Sequence, residues 1–182
     1  MNPHDIQNLI LSFYVDLFGT AISQNIPNFV GMDDTGVSTD QWESLCCIPS
    51  MKDVKDAVFD IGSNKSPGPD GFGSLFFKDA WDVIHVDVLN AVTEFFENGK
   101  ILKQANCTFV TVIPKVKNPE YVKDLRPISC CNTTLKIITK ILADRIRMVL
   151  PDIISVGQGA FVPGRNLAHN SVVAQDLIAG YN

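Results

Sequence analysis

The chain has 182 residues, 46% apolar and 19% charged, which is ample core material for one domain or slightly more and excludes a disordered tail. No apolar run approaches the roughly 18 residues that a membrane-spanning helix needs, and the opening MNPHDIQN lacks the basic start and apolar stretch of a secretory signal. The net charge of −5 conceals an asymmetry: residues 1–99 hold 4 basic and 15 acidic side chains, and residues 100–182 hold 11 basic and 5 acidic ones.

In chain order, residues 3–18 read as an amphipathic helix, with Ile6, Leu9, Ile10, Phe13 and Leu17 at helical spacing and Gly19 as its stop. Residues 20–37, rich in Gly, Asp, Asn and Thr, read as an extended connector, followed by a short helix around 39–46. Ser50 precedes another helix, with Asp53 three residues later as a capping-box signal and Val54, Ala57, Val58 and Ile61 on its apolar face. The run from Gly62 to Gly71 holds two prolines and three glycines and is incompatible with helix or central strand. Residues 73–84 and 86–97 predict two more helices, with Phe76, Phe77, Trp81, Phe95 and Phe96 as core candidates and Asn98-Gly99 as the stop.

The periodicity then changes. TFVTVI (108–113), bounded by Pro114, is the best strand in the chain, and a second strand around Arg126–Cys130 would pair with it as a hairpin. Asn132 predicts the cap of a long helix reaching about Val149 and closed by Pro151. Gly159–Val162 suggests a further short strand, and 166–179 a last helix. Helices first, then a hairpin with helices attached, predict an α+β fold. The chain divides into a leading helix and connector, 1–50, and a main segment, 51–182.

Several chemistries are excluded by spacing. Lys65 precedes the glycines of its loop and Gly99-Lys100 is followed by Ile101, so there is no P-loop. No Cys-x-x-Cys and no Gly-x-Ser-x-Gly occurs, and His4, His85 and His169 are far apart. Five cysteines, four of them in the adjacent pairs Cys46-Cys47 and Cys130-Cys131, do not make a secreted disulfide framework. They point inside the cell without choosing between nucleus and cytoplasm. Asp33-Asp34 resembles the paired carboxylates of a metal-dependent polymerase, but its glycine-flanked setting reads as a solvated turn.

The basic half is more informative. Lys115, Lys117, Lys123 and Arg126 would gather at the tip and base of the hairpin, where four cations suit a triphosphate or a nucleic-acid backbone. A solvated charged loop is the alternative. Lys136, Lys140 and Arg147 fall within about 40° of one another on the long helix, forming a narrow basic stripe that either contacts phosphate or keeps an exposed edge soluble. Arg165 sits beside a helix start, whose backbone N–H groups favour an anion.

Three segments, KSPGPDGF (65–72), VIPKVKNPEYVKDLRPIS (112–129) and LKIITKILADRIRMVLPDIISVGQGAFVPGRN (135–166), together resemble the N-terminal part of the reverse transcriptase domain of LINE-type, non-LTR retrotransposons, the plant elements especially. The resemblance implies the fingers subdomain of a right-hand polymerase and the entry to its palm. In the complete enzyme RNA is the template and DNA the primer, and palm carboxylates hold two Mg²⁺ ions. It further implies nucleotide-binding roles for Lys115, Arg126, Gln158, Phe161 and Arg165. Lys65, Pro67, Gly68, Asp70 and Gly71 would steer the template. Lys117, Lys123, Lys136, Lys140 and Arg147 would contact nucleic-acid backbone.

In the family the first catalytic aspartate follows just beyond the position of Asn182. The resemblance therefore implies a piece truncated before the palm carboxylates, with no catalytic residue, no metal site and no cofactor of its own, and with weaker order after about residue 155. The alternative is a retrotransposon-derived interaction protein without nucleic-acid binding, self-associating through surface meant for the palm. Neither reading involves a membrane.

Overall fold

The computed structural model describes residues 2–19, 36–155, 157–159, 162–166, 168, 171, 172 and 175. Six α-helices and one two-stranded antiparallel hairpin are the principal elements among the described residues, a mixed α+β fold in which helix predominates. The chain divides into two compact units that are not contiguous in sequence: Met1–Met32 with Thr108–Cys130, and Asp33–Cys107 with Cys131–Asn182.

The first unit contains α1 (Pro3–Gly19), β1 (Thr108–Pro114) and β2 (Leu125–Cys131), the last ending one residue past the unit's boundary. A turn of 3-10 helix, Val122–Asp124, leads into β2. The hairpin forms because β-branched and aromatic residues fill β1 and Pro114 stops it. Lys115 N–H donates to Asp124 O at 2.7 Å and closes the base of the loop. On α1 only Tyr14 is buried, and its hydroxyl donates to Leu125 O at 3.3 Å. Leu9, Leu11, Val15, Leu17 and Phe18 remain exposed.

The second unit holds α2 (Thr39–Cys46), α3 (Met51–Asp60), α4 (Ser74–Asp79), α5 (Trp81–Asn98) and α6 (Thr133–Ile153). Its core joins Val54, Ala57 and Val58 of α3, Phe77 of α4, Trp81, Val88 and Val92 of α5, and Ile137, Ile138 and Ile141 of α6. The capping box expected at α3 is present: the Ser50 side chain accepts Asp53 N–H, and Ser50 N–H donates to Asp53 Oδ2 at 2.8 Å. That bond holds the Asp53 carboxyl below its usual range. A second capping box, Ser38 with Gln41, starts α2. Lys78 Nζ donates to Phe59 O and Ile61 O, satisfying carbonyls at the end of α3.

Several expectations are corrected. The break between α4 and α5 falls at Ala80, where ψ is 6°, and not at His85. Phe76 is 43% exposed although its neighbour Phe77 is buried. Adjacent helical positions lie about 100° apart, so a six-residue helix turns only one of them to the core. The long helix runs through Pro151 to Ile153. Proline near a helix end removes one N–H and is tolerated when the last carbonyls find other donors. Along this helix the apolar Ile146 and Met148 are exposed, whereas Arg145 is inside.

Gly159 and Val162 are buried and lie in no strand, with 160 and 161 outside the described residues. The connector 20–35, Asp33-Asp34 and Phe161 also lie outside them, as does most of 166–179 and hence most of the expectation of weaker order there. Among the described residues no helix is long and apolar enough to cross a membrane.

Two outcomes are expected. Ile138→Ala, at a fully enclosed position where α6 meets the core, costs about 2–5 kcal/mol in urea unfolding. Asp53→Ala costs about 1 kcal/mol at neutral pH. Because folding depresses the Asp53 pKa, this contribution is present above the carboxylate's unfolded pKa of about 3.9 and is lost as pH falls through the lower folded value. Parent and variant therefore converge in stability as pH falls through that lower value.

Candidate nucleic-acid interface

The cationic and turn residues divide between the two units. In the first, the hairpin loop carries Lys115, Lys117 and Lys123, and β2 carries Arg126 at its second residue. Asp124 folds this loop, its carboxylate accepting the N–H groups of Glu120 at 3.3 Å and Tyr121 at 3.1 Å. Lys115 Nζ donates to Lys123 O at 2.5 Å, which ties the first lysine to the base of the third. Lys123 Nζ lies 5.0 Å from the centre of the exposed Tyr121 ring. Lys117 and Arg126 are exposed, and their cationic ends have no hydrogen bond or ion pair to another described residue. The loop thus offers cations and one exposed aromatic face, a chemistry suited to phosphate and base.

The second unit carries the Pro/Gly turn. Gly71 N–H donates to Gly68 O at 3.0 Å, closing a β-turn with Pro69 and Asp70 in its centre. Gly71 has φ +78°, which favours glycine there. Asp70 Oδ1 accepts Phe72 N–H at 3.0 Å, a local turn bond that occupies this carboxylate oxygen.

Gly68 is buried directly against Asn132: a Cβ there would stand 2.2 Å from Asn132 Oδ1 and 2.4 Å from its backbone nitrogen. Lys136 Nζ donates to Ser66 O at 2.5 Å, and Thr133 Oγ1 donates to Phe72 O at 2.8 Å. The turn is therefore laid along the start of α6. Pro67 is exposed at its rim, and so is Lys65, whose ammonium has no partner among the described residues.

The basic stripe on α6 is engaged within the protein. Lys140 Nζ pairs with Asp60 and, at 3.1 Å, with Asp144, and Arg147 Nη1 pairs with Asp144 at 3.0 Å. The Asp60 bond, reinforced by Asp144, holds Lys140 above its ordinary range, and the same bond holds Asp60 below its own. Arg145, absent from the sequence-derived set, is 7% exposed; it donates to Leu45 O and Cys47 O and lies 4.9 Å from the Phe96 ring centre.

Arg165 adopts an unanticipated role. Its Nη1 donates to Ser155 O and Gln158 O, and its Nη2 to Pro151 O and Ile154 O. The guanidinium thereby meets carbonyls at the C-terminal end of α6, where a cation is favoured. Gln158 enters this arrangement through its carbonyl, and its side chain is exposed. Asn132 is likewise an N-cap by position only, since its side chain makes no capping bond. Tyr121, Arg145 and the side-chain role of Asn132 escaped the sequence reading. Tyr121 and Arg145 lie inside the segments 112–129 and 135–166, and Asn132 lies between those segments.

No family model matches the chain. Comparison with known proteins does find a relative. This chain is similar to a protein of a transposon. It is 29% identical over 178 residues to the Transposon TX1 uncharacterized 149 kDa protein of Xenopus laevis, covering 97% of this chain and 14% of that protein. The similarity includes at least part of each of the three motif segments, and the chain spans about one seventh of the relative's length.

Among the described residues no group of three or more His, Cys, Asp or Glu side chains is arranged to hold a metal ion. Arg165→Ala is expected to lower stability by about 1–2 kcal/mol and to speed amide exchange selectively around the end of α6. Hydrogen-exchange mass spectrometry checks the second effect.

Proposed function

We propose that the chain is a fingers part of a LINE-type retrotransposon reverse transcriptase, contributing contacts to RNA template, DNA primer and incoming nucleotide. The observation that carries the reading is the similarity to a transposon TX1 protein over 97% of the chain. The hairpin supports it physically. Lys117 and Arg126 are exposed, with Lys115 and Lys123 in the same hairpin, as a phosphate-gripping segment requires.

In this reading Lys115 and Arg126 meet the triphosphate, Lys117 and Lys123 meet backbone phosphate, and Lys65 with the turn 67–71 meets the template. Lys136, Lys140 and Arg147 have protein partners to give up before they contact nucleic acid, so they contribute least. Gln158 and Arg165 act on the nucleotide through the segment that they brace at the end of α6. The complete enzyme would supply Mg²⁺ from palm carboxylates, and no residue of this chain is assigned a catalytic role.

One observation favours a second reading. An apolar groove of about 770 Å³ runs between α1 and β1, lined by Ile6, Ile10, Tyr14, Phe18, Val110 and Val112 among others. A helix this apolar on several faces is ordinarily covered, which suits an interaction protein without nucleic-acid affinity.

Fluorescence anisotropy with an RNA template–DNA primer duplex, at low and high salt, separates the two. The polymerase reading expects binding that weakens steeply with salt through counterion release, and about tenfold weaker binding by the Lys115→Ala/Arg126→Ala double variant at low salt. Absence of binding by the folded protein, or binding indifferent to salt, overturns it. Concentration-dependent oligomers without binding establish the second reading.

A further inference from the structure

The side chain of Asn132 makes three hydrogen bonds to backbone and none to another side chain. Its Oδ1 accepts the N–H of Asp70 at 3.3 Å, and its Nδ2 donates to the carbonyls of Gln104 and Ala105, both at 3.2 Å. It is 3% exposed. One planar group thus satisfies one donor and two acceptors on two separate loops while its own backbone begins α6. That demand specifies an amide: a carboxylate would face two carbonyls, and a hydroxyl cannot span the three partners. The hydrogen-bond network also assigns which end is oxygen and which nitrogen.

Gly68 completes the arrangement, because its lack of a Cβ lets the turn lie flat on Asn132. Bonds from Thr133 to Phe72 O and from Lys136 to Ser66 O hold the two ends of the same turn. The segment 66–72 is therefore held at both ends and in the middle by the first turn of α6, and its exposed Lys65 projects from the fixed end.

We infer that Asn132 is a positioning residue for nucleic-acid binding: it touches no nucleic acid itself but holds the 67–71 turn, and with it Lys65, in the orientation that meets a phosphate. The inference rests on the template role given to that turn above. It adds that the site's geometry is built before any ligand arrives, so that little ordering accompanies contact.

The test compares the parent chain with Lys65→Ala, Asn132→Ala and the double variant in anisotropy titrations against the RNA–DNA duplex, each variant first checked for native helix content. Lys65→Ala is expected to weaken binding about fivefold at low salt and to reduce the steepness of the salt dependence by about one phosphate contact. Asn132→Ala is expected to reproduce both changes, and the double variant to bind no more weakly than either single one, because the two act in one chain of causes. A general loss of stability would not change the salt slope in a folded protein, nor erase the effect of Lys65.

Full additivity, or an unchanged salt slope in Asn132→Ala, overturns the inference while leaving the polymerase reading intact. Failure of the folded parent to bind overturns both. Should Asn132→Ala not fold, amide exchange of Asp70 in the parent decides. Protection of that amide without RNA supports a preset turn, and unprotected exchange overturns it.

Discussion

In the second unit a glycine lies directly against an asparagine. Gly68 lies so near Asn132 that any side chain at 68 would overlap both the amide and the backbone of 132. The contact exists because Asn132 has turned its side chain away from the ordinary task of an N-cap and toward two neighbouring loops. Three chain segments meet at this buried side chain, and each of its polar atoms needs a partner. Helix α6 starts just after the same residue, and within its first three turns the helix supplies Ile137, Ile138 and Ile141 to the core. The orientation of the Pro/Gly turn and the seating of the central helix are consequently one constraint.

The cations of the second half do not form a uniform positive surface. Arg145 is enclosed by two carbonyls and an aromatic ring, Arg165 meets four carbonyls at the end of α6, and Lys140 and Arg147 share Asp144. Lys117 and Arg126 on the hairpin and Lys65 beside the turn are left exposed without such partners among the described residues. Counting charges in the sequence therefore overstates what a polyanion would encounter. Lys117 and Lys65 sit on loops and Arg126 near the start of β2, whereas Lys140, Arg145, Arg147 and Arg165 are engaged on or against α6.

The first unit makes the opposite point about apolar residues. Among its described residues Tyr14 is the one buried hydrophobic side chain, although α1 and the hairpin are rich in leucine, isoleucine, valine and phenylalanine. One helix and two strands enclose too little volume to cover their own apolar faces. Periodicity correctly placed α1 as a helix, but it reports which residues share a face and not whether a neighbour covers that face.

Local patterns determined the elements. The Ser50–Asp53 box, the β-branched run at 108–113, the Pro/Gly turn and the apolar spacing of α3 and α6 each act within a few residues, and each was legible in the sequence. The motifs that resemble a polymerase were legible for the same reason, as strings of adjacent residues. Tertiary structure alone decided the partners of individual polar groups: Asn132 away from its own helix end, Arg165 onto α6, Lys140 to Asp60, and Arg145 into the interior. It also decided that the compact units cut across chain order. A helix or turn is selected by bonds spanning three or four residues, whereas the partner of a buried polar group is set by whichever distant segment the packed core brings within about 3 Å.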